Sequence, residues 1–172
     1  MQLDHVFSVP QIFGYLAFVM GVASFLQKSD MRFKAFMAAE CVSYVIHFWM
    51  LGNYTAVASS AVSVGRSLAA IKTRSVYVAL AFVALSLALG AWLATSWLSL
   101  LPIVASCIGT LSLFLLQGVR MRCAMLVGTS LWLFNNILSG SIGGTMLEAT
   151  VLATNLLTIR RMLNDRTRAT PH

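Results

Sequence analysis

The chain has 172 residues, 59% hydrophobic and 10% charged, with a net charge of +7. A soluble domain carries roughly 25% charged residues and a small globule leaves much of its surface in water, so this composition excludes an ordinary soluble fold. The 12 Lys and Arg residues stand in short clusters between long apolar runs, the pattern of loops beside a membrane and not of a nucleic-acid surface.

The first ten residues, MQLDHVFSVP, lack a basic n-region, so the first apolar segment reads as a retained helix and not a cleaved signal. A helix needs about 20 mostly apolar residues to cross a bilayer. Seven segments are expected to do so, near 9–27, 35–51, 55–71, 75–94, 98–117, 123–139 and 144–160. In lipid a helix satisfies its own backbone hydrogen bonds, and the alternation of barrel strands is absent. The connections sort by charge. Lys28, Arg32 and Lys34 follow the first segment, Lys72 and Arg74 the third, and Arg120 and Arg122 the fifth. Arg160, Arg161, Arg166 and Arg168 lie in the tail. The intervening connections, Gly52-Asn53-Tyr54, Thr95-Ser96-Trp97 and Gly140-Ser141-Ile142-Gly143, hold no Lys or Arg. Eleven of the 12 basic residues thus share one face, which the positive-inside rule assigns to the cytoplasm; Arg66 is the exception. Trp49, Tyr54, Trp92 and Trp97 flank the uncharged connections as an outer aromatic belt. The expected fold is an all-α membrane protein of seven transmembrane helices, N-terminus outside and C-terminus cytoplasmic.

The chain also repeats. A shift of 88 residues sets Ala17 on Ala105, Gly21 on Gly109, Ser24 on Ser112, Arg32 on Arg120, Lys34 on Arg122, Gly52 on Gly140, Ala61 on Ala149, Leu68 on Leu156, Ile71 on Ile159 and Lys72 on Arg160. Charges, turn glycines and segment ends coincide in one register. Two three-helix units joined directly would be inverted; the almost entirely apolar fourth segment restores parity. The single transmembrane domain then reads as 3+1+3. Residues 9–72 form the first parallel repeat, 75–94 the linker helix, 98–160 the second repeat and 161–172 the tail. SWEET sugar transporters exemplify such parallel repeats.

The segments MRFKAF (31–36), HFWMLGNYTA (47–56), RSLAAIKTRS (66–75) and GSIGGTMLEATVLATNLLTIRRM (140–162) resemble the YgjV-type bacterial inner-membrane proteins. The resemblance covers nearly the whole chain and implies a multi-pass location in a bacterial inner membrane. By topology the chain is also similar to the SWEET, PQ-loop and PnuC transporter group. Pro10-Gln11 opens the first helix, whereas the PQ-loop dipeptide lies at a helix's far end, so no PQ-loop function transfers.

An ionisable residue at membrane depth costs roughly 2.5–3.5 kcal/mol and usually faces a bundle interior or a wet cavity. Glu40, His47, Arg66 and Glu148 are such residues. At a rise of 1.5 Å per residue, Glu40 is expected about 9 Å from the cytoplasmic end, with Arg66 and Asn155 at a similar depth. These three are candidates for an inner gate, Glu40 pairing with Arg66; an ion pair that only pins helices, or Arg66 reaching the surface, is the plainer reading. His47, Asn135, Asn136 and Glu148 form a second, outer level, and His47 aligns with Asn135 in the repeat. They are candidates for a solute or proton site. Seven-residue spacing puts Glu40 with His47, and Glu148 with Asn155, on one helix face. Ser59, Ser63 and Arg66 form a stripe on the third helix, which close packing of small residues also explains. Gly14 aligns with Pro102, a pointer to hinges, although Pro102 also suits a first turn.

No catalytic constellation, metal spacing or cofactor motif is visible, and Cys41, Cys107 and Cys123 read as packing residues. The chain is expected to be no enzyme, to hold no cofactor or metal and to bind no nucleic acid. Its partners are expected to be the lipid bilayer and a small solute, and a homo-oligomer is compatible with it. The leading function is a small-solute transporter in which two three-helix bundles rock. The alternative is a non-transporting receptor or assembly scaffold on the same fold, its basic loops binding a partner or anionic lipid. Reporter fusions at 72–75 and at 118–122 are expected to report the same, cytoplasmic face; opposite faces would break the parallel-repeat scheme.

Overall fold

Seven helices follow one another among the described residues: α1 (Val9–Leu26), α2 (Asp30–Met50), α3 (Tyr54–Lys72), α4 (Val76–Leu93), α5 (Leu100–Leu115), α6 (Gly118–Leu138) and α7 (Ile142–Arg168). The structure, a computed structural model, describes residues 9–50, 54–93, 100–138 and 142–168, without the side chains of 54–56, 58, 93, 136, 142–144 and 168. Of the expected connections 52–54, 95–97 and 140–143, residues 52–53, 95–97 with Trp97, and 140–141 lie outside this set, as do the last four tail residues, whereas Tyr54, Ile142 and Gly143 begin α3 and α7. The connections 27–29, 73–75 and 116–117 are short, as antiparallel neighbours require.

Each expected segment coincides with a helix, but three run further than hydropathy suggests. Helices α2 and α6 each begin five residues earlier, at Asp30 and Gly118, and α7 continues to Arg168. A hydropathy window stops at the first charge; a helix need not, provided its charged side chains find partners. Ser29 starts α2, its carbonyl accepting from the Phe33 amide at 2.9 Å. Among the described residues α1 is the one helix that is both long and apolar enough to cross a bilayer by composition alone, with Val76–Trp92 and Leu100–Leu115 apolar but shorter. The other helices are diluted by the polar residues they carry inward.

Consecutive helices pack side by side: α1 on α2, α2 on α3, α5 on α6 and α6 on α7. Contacts between α1 and α7, and a slighter set between α3 and α5, close these six into a ring, while α4 leans on α5 from outside. Large apolar side chains cover the exterior, with Tyr77 and Trp92 of α4 each 82% exposed.

The buried core gathers beside the basic residues. Phe25, Phe33, Leu113, Phe114 and Met121 meet there. The Phe25 and Phe33 rings pack edge to face at 5.1 Å, and Phe82 ties α4 to Phe114 at 6.0 Å. Helix ends at this level leave carbonyls that need donors. Lys34 Nζ donates to Ala70 O at 2.8 Å, Arg122 Nη2 to Gln27 O at 2.8 Å, and Thr158 Oγ1 to Phe25 O at 2.6 Å. Lys34 and Arg122, read from the sequence as loop charges, are in fact buried. Each carries a positive charge to a helix C-terminus, where the helix dipole favours it. The Arg122 guanidinium also lies 3.7 Å above the Phe33 ring, a cation–π contact.

Three of the ties at this end join residues 27–30 to the second half of the chain. The amide of Gly118, at φ 54°, donates to Asp30 Oδ2 at 2.7 Å; Lys28 pairs with Asp165; and Arg122 reaches Gln27. Asp30 and Gly118 are themselves 88 residues apart, the shift that aligns the two halves of the sequence.

Replacing Phe33 removes a fully buried ring and the Arg122 platform. Phe33→Ala should cost about 3–5 kcal/mol, read as a lower unfolding midpoint of detergent-purified protein. Phe18→Ala on the exposed side of α1 should stay within about 0.5 kcal/mol. Equal effects would remove the basic-end core from its role.

Candidate functional site

A cavity of about 260 Å³ lies in the middle of the ring, above the basic-end core. All six ring helices line it: α1 through Gly21 and Phe25, α2 through Met37, Glu40 and Cys41, and α3 through Ser59, Ser63 and Arg66. From the second half come Ala105, Ser106 and Gly109 of α5, Met125, Gly128, Thr129 and Trp132 of α6, and Leu147, Glu148 and Val151 of α7. Six pairs of these 18 residues are 88 positions apart: 21 and 109, 37 and 125, 40 and 128, 41 and 129, 59 and 147, 63 and 151.

The cavity collects three ionisable side chains, Glu40, Arg66 and Glu148. Glu40 stands ten residues along α2, about 15 Å from its start at Asp30 and about 9 Å beyond Lys34 by the helical rise. Glu148 of α7 lines the same cavity, so the two carboxyls face one space. Arg66 is held by the second half: its Nη1 donates to Thr110 Oγ1 at 3.2 Å and to Ser106 Oγ at 3.4 Å, while its Nε is buried without a partner. Among the described residues no ion pair joins Arg66 to Glu40, and neither carboxyl accepts a hydrogen bond from a described residue. The Ser59–Ser63–Arg66 stripe faces this cavity along its whole length.

The expected outer level divides. Glu148 joins Glu40 and Arg66, but His47 and Asn135 are not among the residues lining this cavity. Instead His47 Nδ1 lies 2.7 Å from Pro10 O, and its ring packs on α1 where Gly14 offers no side chain. Gly14 therefore makes room for a ring, and α1 runs through it as unbroken helix. Pro102 is the third residue of α5 and occupies its first turn. The side chain of Asn136 lies outside the described residues. Asn155 belongs to neither group: it is fully buried, its Nδ2 donating to Arg122 O at 3.0 Å, and it fastens α7 to α6.

Sequence reasoning passed over Ser106, Thr110, Thr129 and Trp132. The signal for Thr129 was the repeat, since it stands 88 residues after Cys41; Ser106, Thr110 and Trp132 carried no comparable mark. Among the described residues no group of His, Cys, Asp or Glu could hold a metal ion.

An apolar exterior around ionisable side chains turned inward is the inverse of a soluble fold and defines a helical membrane protein. A profile of the bacterial inner membrane proteins Imp-YgjV matches residues 8–166. The chain is 35% identical over 148 residues to inner membrane protein YgjV of Escherichia coli (strain K12), covering 86% of this chain and 81% of that protein. It belongs to this family of bacterial inner membrane proteins. No solved structure matches it.

Glu40 sits hard against α1. A Cβ at Gly21 would lie 3.0 Å from the Glu40 carboxyl carbon, whereas one at Gly109, its counterpart 88 residues on, would meet nothing within 4 Å. Gly109→Ala should therefore raise stability by about 0.5–1 kcal/mol, the usual gain on replacing a mid-helix glycine. Gly21→Ala should gain less, or lose stability, because Glu40 must move. Equal midpoint shifts for the two variants in thermal unfolding would contradict this packing.

Proposed function

We propose that the protein is a multi-pass transporter of a small solute across the bacterial inner membrane, with seven spans, N-terminus outside and C-terminus cytoplasmic. Two parallel three-helix units, α1–α3 and α5–α7, enclose the solute between them and rock about it, and α4 serves as the connecting span. One observation carries the reading: a cavity holding Glu40, Arg66 and Glu148 is lined by both halves, at six pairs of positions 88 residues apart. Parallel-repeat transporters bind their solutes at such a repeat interface near the bilayer midplane.

The two ends of the cavity differ. Toward the basic face it is floored by Phe25 and Met125 over the packed core, and the Asp30–Gly118 and Lys28–Asp165 ties cross the halves there. With that face cytoplasmic, this conformation is shut on the cytoplasmic side. Opening it requires those ties to part while the Arg66 contacts to α5 act as the pivot. The sealed alternative, a receptor or scaffold, would pair its polar residues with one another. That no described side chain donates to the carboxyls of Glu40 and Glu148 favours transport.

Glu148→Gln keeps the size of the side chain and removes its charge. In thermal-shift screening of purified protein against a metabolite library, at least one solute should stabilise the parent, with no shift for the variant. Uptake of that solute into proteoliposomes should be lost while folded yield is kept. Unchanged uptake by Glu148→Gln would remove this residue from the pathway.

A further inference from the structure

We infer that the cavity takes a small organic monocation bearing N–H donors, that is, an amine in its ammonium form. This deepens the transport reading above and rests on it for movement of the amine across the membrane, but not for binding itself.

Charge points there first. With its acids ionised, the cavity holds two carboxylates, Glu40 and Glu148, against one guanidinium, Arg66, and so carries one negative charge in excess. An uncompensated charge out of water is costly. A monocation neutralises the site, a neutral polyol leaves it charged, and an anion adds to the excess.

Hydrogen bonding points the same way. The donors of Arg66 that have partners are committed to Ser106 and Thr110. The two carboxyls accept from no described side chain, so each offers open acceptors to the cavity. An ammonium group supplies three donors and no acceptor, enough to serve both carboxyls at once. Glu40 is also preset for this, its carboxyl lodged against the bare backbone of Gly21.

The cavity wall suits the same ligand. Trp132 presents an aromatic ring to the cavity, and rings attract cations across their faces. Met37, Met125 and Leu147 offer apolar surface for a short carbon skeleton. The cavity, about 260 Å³, has room for a small amine.

The test uses three molecules of matched size and different charge: ethanolamine, ethylene glycol and glycolate, with sodium chloride as the inorganic control. Each is titrated against the purified full chain while the unfolding midpoint is followed. Ethanolamine should raise the midpoint saturably, as a ligand of the folded state must, and the other three should not. Glu148→Gln and Glu40→Gln should each weaken the ethanolamine response about tenfold or more; if Glu40→Gln fails to fold, Glu148→Gln decides. Phe18→Ala should respond like the parent. A response to ethylene glycol, glycolate or sodium chloride equal to that of ethanolamine overturns the inference, as does a full response in Glu148→Gln. Flux separates this inference from the transport reading. Saturable ethanolamine binding without ethanolamine uptake into proteoliposomes overturns transport and leaves the cation site standing. Uptake of an uncharged or anionic solute, with no amine response, overturns the cation site and leaves transport.

Discussion

The cost of an ionisable group in hydrocarbon organises this molecule. A membrane helix can afford a charge only where another helix, a cavity or an aqueous face receives it. Glu40, Arg66 and Glu148 sit on three different helices and share one cavity. The rotation of α2, α3 and α7 about their axes is set by that requirement, and with it the choice of which apolar faces turn outward. Gly21 shows the same constraint in the backbone. A side chain there would crowd the Glu40 carboxyl, so the glycine lets α1 come close while the charge stays on the cavity side.

A second set of polar groups does different work. At the basic end, Lys34, Arg122 and Thr158 reach across to carbonyls in the last turn of α3 and at the end of α1. Unmet carbonyls at buried helix ends are costly, and long cationic side chains satisfy them while answering the helix dipole. The two halves use the device unequally. Lys34 stays within its own half, bonding α3, whereas its counterpart Arg122 crosses to the first half and stacks on Phe33. The α1–α7 side thus becomes a bonded seam. The α3–α5 side is bridged by Arg66 through two hydroxyls at 3.2 and 3.4 Å.

The sequence by itself determined the helices, their order and the 88-residue interval that later reappears in the cavity wall. Apolar length, charge clustering and aligned glycines are local or periodic signals, and lipid forces a helix on each span. It also singled out Glu40, Arg66 and Glu148, because a charge inside an apolar run is conspicuous. Only the tertiary structure decided which of these residues meet. Helix bounds read from hydropathy stopped short, since α2 starts at Asp30 and carries Arg32 and Lys34 within it, and a few residues of error at 1.5 Å each separate one level from another. His47 and Asn155 looked equivalent to the site residues in composition and spacing. Their partners, Pro10 O and Arg122 O, are backbone carbonyls, which every residue possesses and which therefore leave no trace in a sequence.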